Sequence, residues 1–277
     1  MIPATFDYQK VKTIDEAIAA LSNSDSKILA GGHSLLPAMK LRLSQPSKLV
    51  DIAGIAELKG IKEEDGEIVI GAGTTHSDIA NDDLIKRAFP FFAKGASLVG
   101  DIQVRNYGTI GGSLAHADPA ADWPALVLAA DAAIEVQGGS GKRSIKATDF
   151  FTGLFSTSLQ DDEIITAIRV PVPPNGTKTT YQKFEQPASR FAIVGCAVMH
   201  FADGKTNIAF TGVTDYVFRD SHAEQALSGK PVNADSIHAA VNAALQHVDI
   251  ASDRFASKTY RKHVAKVYLK KALEAVI

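Results

Sequence analysis

Two glycine pairs far apart in the chain carry the clearest chemical signal: Ala30-Gly31-Gly32-His33-Ser34 and Thr109-Ile110-Gly111-Gly112-Ser113. Glycine pairs let successive main-chain N–H groups turn into one concavity, and neighbouring hydroxyls add donors, so each stretch suits a phosphate. Neither contains a lysine. Two such turns suit a diphosphate gripped from both sides by main-chain and hydroxyl donors. An ordinary tight turn accounts for either stretch taken singly; the two together, in this order, are much harder to ascribe to accident.

What is missing narrows the chemistry. The chain has no G-x-x-x-x-G-K-[ST], no H-E-x-x-H and no G-x-G-x-x-G; the nearest pattern, Gly71-Ala72-Gly73, runs on into Thr74-Thr75-His76. Gly32-His33-Ser34-Leu35-Leu36 resembles a nucleophile elbow in its first half only, because Leu36 stands where the sharp turn needs glycine. That disfavours a serine hydrolase built on Ser34, His116 and Asp118. The one cysteine, Cys196, can neither close an internal disulfide nor hold an iron–sulfur cluster or a Cys-type zinc, and it reads as an inert buried thiol. Lys plus Arg number 29 against 31 Asp plus Glu, a net charge of -2, which gives no electrostatic case for nucleic acid. The amino terminus lacks a secretory pattern and no apolar run is long enough to span a membrane, so a cytoplasmic protein is expected.

With 277 residues, 45% hydrophobic and 22% charged, the chain is long enough for two globular domains. Thr13-Ile-Asp-Glu16 has capping-box spacing ahead of a short amphipathic helix, and β-favouring runs follow at 27–30, 49–52 and 67–71. From 75 to 99 the spacing predicts a helix that Pro90 breaks into two pieces. A helix is expected over 123–130 and strands over 133–137 and 164–170, with Gly138-Gly-Ser-Gly141 as a hairpin turn. Pro171-Val-Pro-Pro-Asn-Gly176 reads as a linker, followed by strands over 180–185, 191–201 and 206–213 and two or three helices, the last from about 252 to the end. The last helix carries Arg254, Lys258, Arg261, Lys262, Lys266, Lys270 and Lys271 as a basic stripe, readable as a solvated face or as a partner interface. Strands followed by helices argue for an α+β carboxy-terminal domain.

The stretches Ala30–Pro37, Gln103–Asp122 and Ala188-Ser-Arg-Phe-Ala192 resemble the flavin-binding medium subunit of molybdenum hydroxylases, the carbon monoxide dehydrogenase type more closely than the flavin domain of xanthine dehydrogenase. The likeness extends end to end, including the terminal Tyr-Arg-Lys-His-Val-Ala-Lys-Val. It implies an α+β chain: a two-subdomain FAD-binding fold of the vanillyl-alcohol-oxidase type over 1–174 with a break near 57, then a small domain over 175–277 of about three strands plus helices. It also implies that Ala30, Gly31, Gly32, His33, Ser34 and Leu35 wrap the FAD diphosphate together with Thr109, Ile110, Gly111, Gly112 and Ser113. By the same resemblance His116 lies near the flavin's polar chain, Asp122 accepts from a cofactor hydroxyl, Val99 and Ile165 flank adenine, and Lys183 lies near the flavin. Phe191 falls where the carbon monoxide dehydrogenase branch has a tyrosine beside the isoalloxazine.

Plainer roles remain open at this point. His33 can shape its loop, His116 can be a satisfied histidine in an alanine-rich turn, Asp122 can be a helix cap, and Val99, Ile165 and Phe191 can be core residues. The resemblance implies no general acid or base, no metal ligand and no substrate pocket in this chain. It implies a relay: electrons from the [2Fe–2S] clusters of a small subunit, ultimately from a large molybdopterin subunit, pass through FAD to NAD or quinone. Rival readings are a stand-alone flavin oxidoreductase and a cofactor-free scaffold subunit.

Overall fold

The computed structural model describes residues 2–21 and 25–277. Three parallel strands, Asp7–Lys10, Lys48–Asp51 and Ser26–Leu29 in that order, form a small sheet. Parallel strands need crossovers, supplied by the helices Ile14–Leu21 and Leu35–Lys40. Thr13 caps the first: its Oγ1 accepts from Glu16 N, and the Glu16 carboxylate reaches back to Lys12 N at 2.7 Å.

A five-stranded antiparallel sheet follows, in the order Ile61–Glu64, Glu67–Gly71, Ile164–Pro171, Ala133–Gly138, Gly141–Lys146. The glycine-rich hairpin at 138–141 leads into this last strand, which the residue pattern does not announce. Only Ile145 in it is buried, so it lacks the alternation that marks a strand. Between Gly71 and Ala133 run six helices. The segment expected as two pieces is three, His76–Asn81, Asp83–Ala88 and Pro90–Leu98, because Asp82 caps a helix of its own by accepting from Ile85 N.

The carboxy-terminal sheet orders Lys178–Glu185, Ala192–His200, Thr206–Thr211 and Phe218–Arg219. It is buried on both faces. Tyr181, Ala197, Met199 and Ala209 join the core built on the helix Asp122–Ala129, while Val194, Cys196, Val198 and Phe210 join a second core with the helices Ser221–Leu227, Ala234–Ala243 and Lys258–Glu274. Two-sided burial is why 192–199 reads as a near-continuous apolar run. Burial also pushes the Cys196 thiol far up, as expected of an inert group.

The basic stripe needs two corrections: the last helix starts at Lys258 rather than near 252, which leaves Arg254 outside it, and Arg261 does not face solvent. Arg261 is 3% exposed and donates to the carbonyls of Ile193 at 2.7 Å and Gly212 at 2.5 Å and to Asp253 at 2.6 Å. It pins the last helix to the sheet. Arg261→Met, which orphans two buried carbonyls, is expected to cost about 3 kcal/mol in urea unfolding, against less than about 0.5 kcal/mol for the exposed Lys262→Met.

Candidate functional site

A cleft of about 600 Å³ opens where the small parallel sheet, the helices between residues 76 and 122 and the edge of the carboxy-terminal sheet meet. That is within the size range of cofactor sites. Both glycine turns line it. They touch each other: a Cβ on Gly31 would lie 2.1 Å from the Tyr107 carbonyl oxygen and 2.7 Å from Gly108 Cα. Only glycine permits this approach. A Cβ on Gly112 would point at Thr109 Oγ1 at 2.9 Å and lie 4.0 Å from Ala30 Cβ, so the second pair faces the first across the same gap.

The two turns use their amides differently. No described residue accepts from the main-chain N–H groups of Gly31, Gly32, His33, Ser34 and Leu35, and Gly32 sits at φ +75°, which aligns such donors. In the second turn Ile110 N donates to Thr74 O, Gly111 N to Ala72 O, Gly112 N to Thr109 Oγ1 and Ser113 N to Thr109 O. Unpaired main-chain amides on the cleft are therefore found in the first turn alone; in the second the amides of residues 110–113 all have protein acceptors, so a main-chain cradle on both sides is not what the structure shows.

The remaining residues divide. Ala30 through Leu35, Val99, Thr109, Gly112, Ser113, His116, Asp122 and Phe191 line the cleft, whereas Ile110, Gly111, Ile165 and Lys183 do not. Ile110 and Ile165 are packed in the core, and a Cβ on Gly111 would strike Ala72, so that glycine serves packing. Asp122 is not the cap: Ala121 holds that position, and the carboxylate is buried. It accepts from Tyr181 Oη at 2.5 Å and from Lys183 Nζ at 2.9 Å, and Lys183 also donates to Leu98 O at 3.2 Å. Burial pushes the Asp122 carboxyl up, while Lys183 and Tyr181 pull it back; the Tyr181 hydroxyl is driven up by burial and by the carboxylate. Thr211 Oγ1 and Gly212 N hold the Pro119 carbonyl just upstream, so the carboxy-terminal sheet braces this wall of the cleft. Phe191 stands at the cleft, 45% exposed.

Sequence reasoning missed His76, Gly108 and Arg190, which also line the cleft, and considered Asp118, another lining residue, only for a hydrolase. His76 is 4% exposed, and its Nδ1 accepts from Trp123 Nε1 at 3.0 Å. A lone histidine beyond a non-matching glycine pattern carries no spacing signal; only the fold reveals it.

Residues 4–173 match the FAD binding domain in molybdopterin dehydrogenase, and 179–276 match the CO dehydrogenase flavoprotein C-terminal domain. The chain belongs to the flavin-binding medium subunits of the molybdenum hydroxylases. The carbon monoxide dehydrogenase medium chain of Hydrogenophaga pseudoflava is 40% identical, covering 99% of this chain and 98% of the relative. The glyceraldehyde dehydrogenase medium chain of Sulfolobus acidocaldarius is 36% identical over the full length of both. Among solved structures, the Hydrogenophaga pseudoflava carbon monoxide dehydrogenase lacking the Mo-pyranopterin moiety superposes with a TM-score of 0.96 at 41% identity, covering 100% of this chain and 98% of that one. As in this family of oxidoreductase subunits, the cofactor is FAD. No described helix is long and apolar enough to cross a membrane.

Burial holds His76 down at about 4, with repulsion from His33 and Arg105 adding to it. Folding therefore keeps the ring neutral while the unfolded chain, with an ordinary value of 6.5, takes up a proton as pH falls. The stabilisation is complete above 6.5 and is lost progressively between 6.5 and about 4. Between pH 7.5 and 4.5 the wild type is expected to lose roughly 2–3 kcal/mol more unfolding free energy than His76→Gln in urea titrations.

Proposed function

We propose that this medium subunit carries electrons from the [2Fe–2S] clusters of a small partner subunit, fed by a large molybdopterin subunit, to an external acceptor, NAD or quinone. The reading is supported above all by the unpaired amides of Gly31 to Leu35 facing a glycine gap in a cleft of cofactor size. In it the first turn and the Ser34 and Ser113 hydroxyls hold the FAD diphosphate, Gly112 leaves room for it, and Val99, His116, Asp122 and Phe191 flank the rest. Lys183 acts at one remove, by fixing the Asp122 carboxylate. Ile110, Gly111 and Ile165 support the wall from behind.

The residues present fit the group: the donors are neutral, and neither glycine turn contains a lysine or arginine, so main-chain dipoles take the anionic charge. Bound FAD supplies a carrier able to exchange electrons singly or in pairs. The chain's part is to bind, orient and shield it. With one cysteine, buried in a strand, the chain lacks the thiolates of a cluster, so these belong to a partner. We assign the cofactor lobe pair to 1–174 and the bracing domain to 175–277. Relatives named for carbon monoxide and for glyceraldehyde are similarly close to this chain, which supports placing substrate choice in another subunit.

Gly112→Val pushes bulk into the gap and onto Thr109 Oγ1. Its complex is expected to be purified without flavin absorbance, to reduce an artificial one-electron dye with substrate, and to lose NAD or quinone reduction. A flavin-free complex that reduces those acceptors at the full rate would end the relay reading. Phe191→Ala is expected to keep stoichiometric FAD, read from the visible spectrum, while shifting its reduction potential in a dye-coupled titration.

A further inference from the structure

We propose that His76 Nε2–H donates a hydrogen bond to the diphosphate of FAD at the seam of the two glycine turns. This rests on the reading of the cleft as the cofactor site. Trp123 Nε1 is only ever a donor, so His76 Nδ1 is the acceptor in their 3.0 Å contact and the ring proton resides on Nε2. Trp123 is wholly buried and holds the Nδ1 edge toward the core. The opposite edge faces Gly108: a Cβ there would stand 2.8 Å from Nε2 and 2.9 Å from Cδ2.

Gly108 adopts φ −60° and ψ 138°, a conformation open to any residue, so the backbone angles do not call for glycine at this position. A side chain at this position would instead collide with the imidazole edge. Gly108 also follows Tyr107, whose carbonyl Gly31 abuts, which puts Nε2 beside the line where the first turn meets the second. His76 and Gly108 both line the cleft, and no described residue accepts from Nε2.

Nε2–H is thus a fixed donor at the cleft with no protein acceptor, and an anion beside two glycine turns is the acceptor that fits. The charged or titratable groups acting on the ring are His33 and Arg105, both of which disfavour a second ring proton. The donor is thus uncharged at neutral pH. It differs from the hydroxyls in being fixed, because Trp123 sets both the tautomer and the orientation of the ring.

The test uses the full-length apoprotein titrated with FAD and with ADP, which carries the diphosphate without the flavin. His76→Leu is expected to weaken both about tenfold, and His76→Gln, whose amide nitrogen replaces Nε2–H, to recover most of the loss. In the wild-type chain, nitrogen-15 spectra are expected to show Nε2 protonated at pH 7 and its proton signal moving downfield with either ligand. Unchanged affinity in His76→Leu, a loss for FAD without one for ADP, or an Nε2–H signal indifferent to ADP would each overturn the proposal. A wild-type chain that takes up no FAD would instead overturn the cofactor reading beneath it.

Discussion

The contact on which the cleft depends is the one at Gly31, where two stretches of main chain 76 residues apart meet with no room for a methyl group. A Cβ there would overlap the Tyr107 carbonyl oxygen, and relief would require one turn to retreat from the other. The donors of the first turn would then face open solvent rather than a partner wall. Because the obstacle is backbone and not the end of a flexible side chain, no rotamer change absorbs it.

The two turns differ in how they use their amides. Residues 31–35 spend no amide on the fold and so have them available for a ligand, while the second turn commits the amides of residues 110–113 to Ala72, Thr74 and Thr109. The turn by which the chain leaves the five-stranded sheet at 71–74 thereby fixes the second turn. Gly73 N in turn donates to the Leu58 carbonyl at 2.6 Å, and a Cβ on Gly71 would lie 2.5 Å from that oxygen. The Gly71-Ala72-Gly73 triplet is therefore a packing joint between the parallel sheet and the antiparallel one. Its resemblance to a nucleotide-binding pattern comes from the same physical need, close approach of backbones, directed at protein instead of phosphate.

What the sequence made legible follows the same division. Glycine pairs announce themselves because their use is local and steric, and the long apolar run at 192–199 announces a buried sheet. Pairings between distant residues left no such trace. Asp122 as an acidic residue near a helix start looked like a cap or a ligand, and only the fold brings Tyr181 and Lys183 to its two oxygens. Arg261 reads as one more member of a basic stripe until the structure shows it bonded to two sheet carbonyls. The strand 141–146 stayed hidden because five of its six residues are exposed and nothing hydrophobic marks its period.

The carboxy-terminal domain then has a role that its lack of glycine turns would not suggest. Its sheet packs one face on the helix 122–129 and the other on three helices, so neither face is free to slide without disturbing a core. The end of its inner strand 206–211 holds Pro119 and Ala121 through Thr211, and its edge strand 178–185 holds Asp122 through Tyr181 and Lys183. The segment from His116 to Asp122, which forms one side of the cleft, is thus positioned from behind by a domain that contributes Phe191 and its loop at the mouth. A change in that domain's packing reaches the cleft wall through these buried bonds. Its effect should be felt as altered orientation of the wall before it is felt as lost contact, because Asp122 is braced on both oxygens.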